Sequence, residues 1–142
     1  MSADASPLTI GALAAQTACN VASIRYYEEI GLMPKARRGP GGHRVYRQAD
    51  LRRLLFIRRC RDFQFSIEQV RELLDLIANP QRDCSAAMDL AENHLAVVRK
   101  KLLELRALEK SLAQLAEGCS SKCAGGPISG CIILEDLSTS CC

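Results

Sequence analysis

Apolar residues recur at helical spacing along most of this chain. Ile10, Leu13 and Ala14 share one face of a short helix predicted from Ile10 to about Thr17, with Thr9 placed to cap it. Ala18-Cys19 reads as a turn. Val21, Ile24 and Tyr27 repeat the spacing over a second helix, capped by Asn20 and running to about Ile30, where Gly31 stops it and Pro34 prevents continuation. Two short amphipathic helices joined by a tight turn predict a helix-turn-helix unit. The rhythm then lapses. Arg37-Arg-Gly-Pro-Gly-Gly42, followed by His43-Arg-Val-Tyr-Arg47, predicts a glycine-turned hairpin, a wing, over residues 35–46. Helical spacing resumes from Gln48 to about Arg61, through Leu51, Leu54, Leu55, Phe56 and Ile57. Ser66-Ile-Glu-Gln69 is a capping box that opens another helix to about Ala78, with Ile67, Val70, Leu73, Leu74 and Ile77 as its stripe and Asn79-Pro80 as its end.

From Ser85 to about Glu117 the pattern is one long helix without Gly or Pro. Leu95, Val98, Leu102, Leu105, Leu108, Leu112 and Leu115 follow one another at intervals of 3, 4, 3, 3, 4 and 3. So narrow a seam, on about eight turns of helix, outreaches a small domain and predicts a two-stranded coiled coil. Gly118 is expected to end the helix. A Gly/Pro/Ser-rich loop from Cys119 to Cys131 follows, and Ile132, Ile133, Leu134 and Leu137 predict a short amphipathic helix beyond it. The expected architecture is mainly α, with a helix-turn-helix, wing and two further helices over 8–80, a dimerisation helix over 84–117 and a Cys-rich segment over 118–142.

Charge sharpens this division. Residues 1–65 hold eleven Lys/Arg against five Asp/Glu, a net +6, and residues 66–142 hold eight against eleven, a net −3. A basic front half suggests a polyanion-binding module. Arginines interleaved with Tyr46 on the wing suit phosphate contact. No apolar run spans a bilayer, and the first residues lack the pattern of a signal peptide, so a cytoplasmic protein with reduced thiols is expected. In that setting the eight cysteines point to metal or redox chemistry. Cys19 and Cys60 read as core. Cys119, Cys123 and Cys131 fall in one loop with little apolar company, and thiolates gathered there are soft metal ligands. No nucleophile–base pair or acid–base constellation appears, so an enzyme is not expected.

Ser23-Ile-Arg-Tyr-Tyr-Glu-Glu-Ile-Gly-Leu32, His43-Arg-Val-Tyr-Arg-Gln-Ala-Asp-Leu51, Phe56-Ile-Arg-Arg-Cys-Arg61 and Phe65-Ser-Ile-Glu-Gln-Val-Arg71 together resemble the signature of MerR-family transcription regulators, over about residues 8–118. The resemblance implies a winged helix-turn-helix and a long helix pairing antiparallel in a homodimer. It places base-edge contacts at Val21 and Ser23. It also places phosphate contacts at Arg25 and Tyr26, and on the wing at Arg44 and Tyr46. Tyr27 reads as core packing. Ala18 stands in the turn where many relatives carry Gly, and Gln64 replaces a frequent Gly before Phe65.

The metal-sensing branch of the family carries cysteines that match Cys84, before the long helix, Cys119 at its end and Cys131 beyond the loop. In an antiparallel dimer Cys84 of one chain would then meet Cys119 and Cys131 of the other. Cys123 is a candidate fourth ligand. Relatives that sense monovalent copper, silver or gold resemble this chain but carry Ser at the Cys84 position, so Cys84 argues for a divalent ion: Zn, Cd, Pb or Hg. The resemblance implies a dimer on promoter DNA. Metal would distort that DNA so that RNA polymerase transcribes an efflux or detoxification operon. Two alternatives stand beside this. A redox sensor of the same fold holds an iron–sulfur cluster, but on cysteines spaced C-x2-C-x-C-x5-C, where this chain has C-x3-C-x7-C. A cytosolic metal buffer would leave the basic wing unexplained.

Overall fold

Thr9 begins the fold in two ways at once. Its hydroxyl accepts from the Ala12 N–H at 3.1 Å, capping α1 (Ile10–Thr17), while its backbone lies in a two-residue strand, β1 (Leu8–Thr9). This strand was not legible in the hydrophobic pattern. It pairs antiparallel with β3 (Arg44–Tyr46), which pairs on its other edge with β2 (Arg37–Arg38), so the wing is a three-stranded sheet ordered β1-β3-β2. In this computed structural model residues 6–122 and 125–139 are described; Cys123, Cys141 and Cys142 lie outside them.

Ala18 takes a left-handed backbone (φ 49°) to close α1, and the Asn20 side chain accepts from the Ser23 N–H at 2.6 Å to open α2 (Val21–Glu29). Gly31 at φ 75° turns the chain out of α2. Between β2 and β3 the chain turns through a short 3-10 stretch, Pro40–Gly42. A Cβ on Gly39 would come within 2.8 Å of Val45 Cγ1, so the tight hairpin requires glycine there. Helices α3 (Gln48–Asp62) and α4 (Ile67–Ala78) follow, the second opened by the reciprocal Ser66–Gln69 box. Leu13, Ile24, Leu32, Met33, Tyr46, Leu54, Ile57, Cys60, Val70 and Leu74 form one core drawn from α1 to α4, β3 and the turn that follows α2.

Helix α5 (Ser85–Lys122) has 38 residues and α6 spans Ile132–Thr139. Gly118 does not end α5, contrary to expectation, and Cys119 stands on the helix rather than in the loop. Glycine weakens a helix interior by about 1 kcal/mol, which one residue in a long helix can absorb. The Ser120 and Ser121 hydroxyls donate back to the carbonyls of Glu117 and Gly118. The break falls later, with Gly125 at φ 77° and Pro127 behind it. Contacts divide the chain into two units, up to Ala87 and from Met88 onward. Among the described residues no helix is long and apolar enough to cross a membrane.

Candidate nucleic-acid interface and thiol ligands

Helix α2 and the wing enclose an open cleft of about 350 Å³ lined by Arg25, Glu28, Glu29, Lys35, Ala36, Arg38 and Arg44. Four cations face two carboxylates there. The cleft brings together Arg25 and two of the wing arginines expected from the sequence, Arg38 and Arg44, and adds Lys35. Arg38 also donates to the Gly42 carbonyl at 2.7 Å, which fixes the turn of the wing. Tyr26 is exposed, with its ring 5.9 Å from that of Tyr27. Val21 and Ser23 lie half-buried on the first turn of α2 and do not line this cleft. Tyr27 is half-buried against the core, as expected, and burial raises its pKa against the opposing pull of Arg61.

Tyr46 requires a correction. It was expected to meet phosphate, but only 1% of it is exposed. Its hydroxyl donates to Glu28 Oε1 at 2.7 Å, while Arg44 Nη1 donates to Oε2 of the same carboxylate at 2.8 Å. Burial, and then the neighbouring carboxylate, push the Tyr46 pKa up to about 12. The alternation of β3 puts Tyr46 inward, and the sequence could not show which face of so short a strand is buried.

Part of the basic charge of the helix-turn-helix and connector region is structural. Arg58 donates to the Thr17 carbonyl at the end of α1, Arg71 to Ile30 at the end of α2 (2.8 Å), Arg53 to Leu32 (2.6 Å) and Arg61 to Phe65. These guanidiniums satisfy main-chain oxygens that helix ends and turns leave over. They are spent on the fold, and charge counting alone cannot distinguish them from Arg25 or Lys35.

Cys84 is exposed, whereas Cys119 and Cys131 are half-buried. Cys84 borders an apolar groove of about 320 Å³ shared with Phe56, Leu73, Leu76 and Ile77. Cys60 is buried, which raises its thiol pKa, and Cys19 packs half-buried against the core, both in keeping with structural roles. Cys123 lies outside the described residues. Three thiolates form a donor set suited to soft metal ions. Within one chain, no three His, Cys, Asp or Glu among the described residues come together.

Residues 8–77 match the model of the MerR HTH family regulatory proteins, and residues 51–115 match the family's "MerR, DNA binding" model. The transcriptional regulator ZntR of Escherichia coli K12 is 35% identical over 129 residues, 90% of each chain. Heavy metal-dependent transcription regulator 2 of Rhizobium meliloti is 33% identical over 130 residues, 92% of this chain and 86% of its own. The crystal structure of the regulator PbrR691 from Ralstonia metallidurans CH34 in complex with lead(II) is 38% identical, with a TM-score of 0.78, and covers 92% of this chain and 98% of that one.

Proposed function

Since this chain belongs to the MerR family of DNA-binding transcription regulators, we propose that it is a cytoplasmic homodimeric metal sensor that binds a promoter operator and activates a metal efflux or detoxification operon through RNA polymerase when a divalent soft ion, Zn, Cd, Pb or Hg, is bound. The observation that carries the DNA half of this reading is the cleft that sets Arg25, Lys35, Arg38 and Arg44 between the second helix of the helix-turn-helix and the wing. Cations there accept the phosphate backbone, while the start of α2, with Val21 and Ser23, meets base edges and Tyr26 adds a phenol beside Arg25.

Cys84, Cys119 and Cys131 are the proposed ligands, with Cys123 as a fourth. Cys84 is exposed and Cys119 and Cys131 are half-buried, and among the described residues of one chain no three His, Cys, Asp or Glu come together. A second protomer is therefore assigned the missing donor. The lead(II) complex of PbrR691 and the name of the Rhizobium meliloti regulator support the choice of ligand class. The bound ion supplies charge neutralisation of the thiolates and a crosslink between protomers. Ligation by Cys84, Cys119 and Cys131 would favour one of two DNA-bound conformations only in so far as these thiols hold the ion better in that conformation.

A promoter-reporter titration with Zn, Cd, Pb and Hg, paired with equilibrium dialysis, tests this. Cys84→Ser, Cys119→Ser and Cys131→Ser proteins are expected to bind the operator, to lose tight metal binding and to give no induction. Cys123→Ser is expected to lose less, because in the sequence Cys123 stands close to Gly125-Gly126, and glycines raise the entropy cost of fixing a ligand. A Cys84→Ser protein that induces normally with Cd(II) or Zn(II) would overturn the ligand set.

A further inference from the structure

An acid at a phosphate-binding surface works against it, and Glu28 stands at this one. It is the only buried carboxylate among the described residues, at 8% exposure, and lies in the last turn of the helix that carries Arg25. Both of its oxygens are taken by residues of one strand. Arg44 Nη1 donates to Oε2 at 2.8 Å and the Tyr46 hydroxyl donates to Oε1 at 2.7 Å. Arg44 and Tyr46 are two apart on β3, and β3 is the central strand of the wing sheet. The carboxylate therefore ties the end of α2 to the middle of the wing at two points. One of them is the hydroxyl of a side chain only 1% exposed, which has no water to turn to. Arg44 remains 38% exposed and lines the cleft, so its other guanidinium donors are available to a phosphate.

We propose that Glu28 is a positioning residue for DNA recognition. It fixes the wing against α2, so that Arg25 and Arg44 meet the backbone in a single geometry. That fixed geometry raises discrimination between the operator and other DNA, while the carboxylate's charge opposes the sequence-independent phosphate attraction. The inference rests on the cleft being the DNA interface. Two views of Glu28 then differ in sign. If it were only a negative charge near phosphates, its removal would tighten binding to all duplexes alike. If it is a clamp, its removal loosens the operator complex in particular.

The test uses the full-length dimer at one salt concentration, with an operator duplex selected by the parent protein from a random pool and a scrambled duplex of the same composition. Glu28→Ala is expected to lower the operator-to-scrambled affinity ratio about tenfold or more, as for a lost charge-assisted hydrogen bond, with scrambled binding unchanged or tighter. Glu28→Gln keeps an oxygen for Arg44 and an amide for the Tyr46 hydroxyl, so it should preserve the ratio while both affinities rise. Tyr46→Phe removes one tie only and should lower the ratio in the same direction by less, which keeps the test alive if Glu28→Ala fails to fold. Equal tightening of both duplexes by Glu28→Ala, or a ratio lost as fully in Glu28→Gln, overturns the clamp. Arg25→Ala separates that failure from failure of the interface itself. It should weaken both duplexes, and if it changes neither, the cleft is not where DNA binds and the clamp falls with it.

Discussion

Ala18 and Gln64 both hold left-handed backbones, at φ of 49° and 65°. A Cβ makes that conformation costly, by roughly 1 kcal/mol or more. Ala18→Gly and Gln64→Gly are each expected to stabilise the protein by about 0.5–1 kcal/mol, after allowing for the greater freedom of unfolded glycine, as read by urea unfolding. Both positions were visible in the sequence only as departures from glycine in relatives; nothing in their own neighbourhoods announces a positive φ. Tyr46 offers a second residue-scale outcome. Its pKa is raised from 10.0 to about 12, so the folded state holds the phenol proton more tightly than the unfolded chain does. The associated stability is fully present below about pH 10 and is lost as pH rises toward 12. Stability measured across that window should fall more steeply for the parent than for Tyr46→Phe, and parallel curves would contradict the assigned cause.

Among the elements, the helices were the most legible. Thr9, Asn20 and Ser66 cap where their side chains predict, because a capping oxygen beside an amphipathic run is a local signal. Of the strands, the β2–β3 hairpin was legible from its glycine turn, whereas β1 was not, since two residues show no usable alternation and its partner in the wing is remote in sequence. Helix α5 runs past Gly118 because a single glycine costs only about 1 kcal/mol, which a helix of this length absorbs. Along α5, Leu95, Val98, Leu102, Leu105, Leu108 and Leu112 are all exposed at 44–62% in the single chain. An uncovered row of this length calls for a second helix. Leu105→Glu would bury a charge in that seam. It is expected to convert a dimer to a monomer in sedimentation at micromolar concentration, and a dimer of unchanged stability would count against the coiled coil.

For the molecule as a whole, the proposed cross-protomer ligand set makes a stoichiometric prediction. A mixed dimer pairing a Cys84→Ser chain with a Cys119→Ser/Cys131→Ser chain should retain one intact site and bind one ion. The same dimer would bind none if each site belonged to one chain. The family, and with it a DNA-binding regulator, was legible because contiguous strings such as Ser23–Leu32 carry it. The organisation of the basic cleft was less so, because which arginines hold carbonyls and which face solvent is decided by tertiary packing. The wing sheet carries a further consequence, in time rather than space. Arg37 pairs with Val45 across a short hairpin, whereas Thr9 meets the same Val45 only after the whole helix-turn-helix has been laid down between them. Closing the longer loop costs more entropy. The two edges of β3 should therefore form at different moments in folding. The hairpin comes early, and the β1 edge closes last and is the first to reopen.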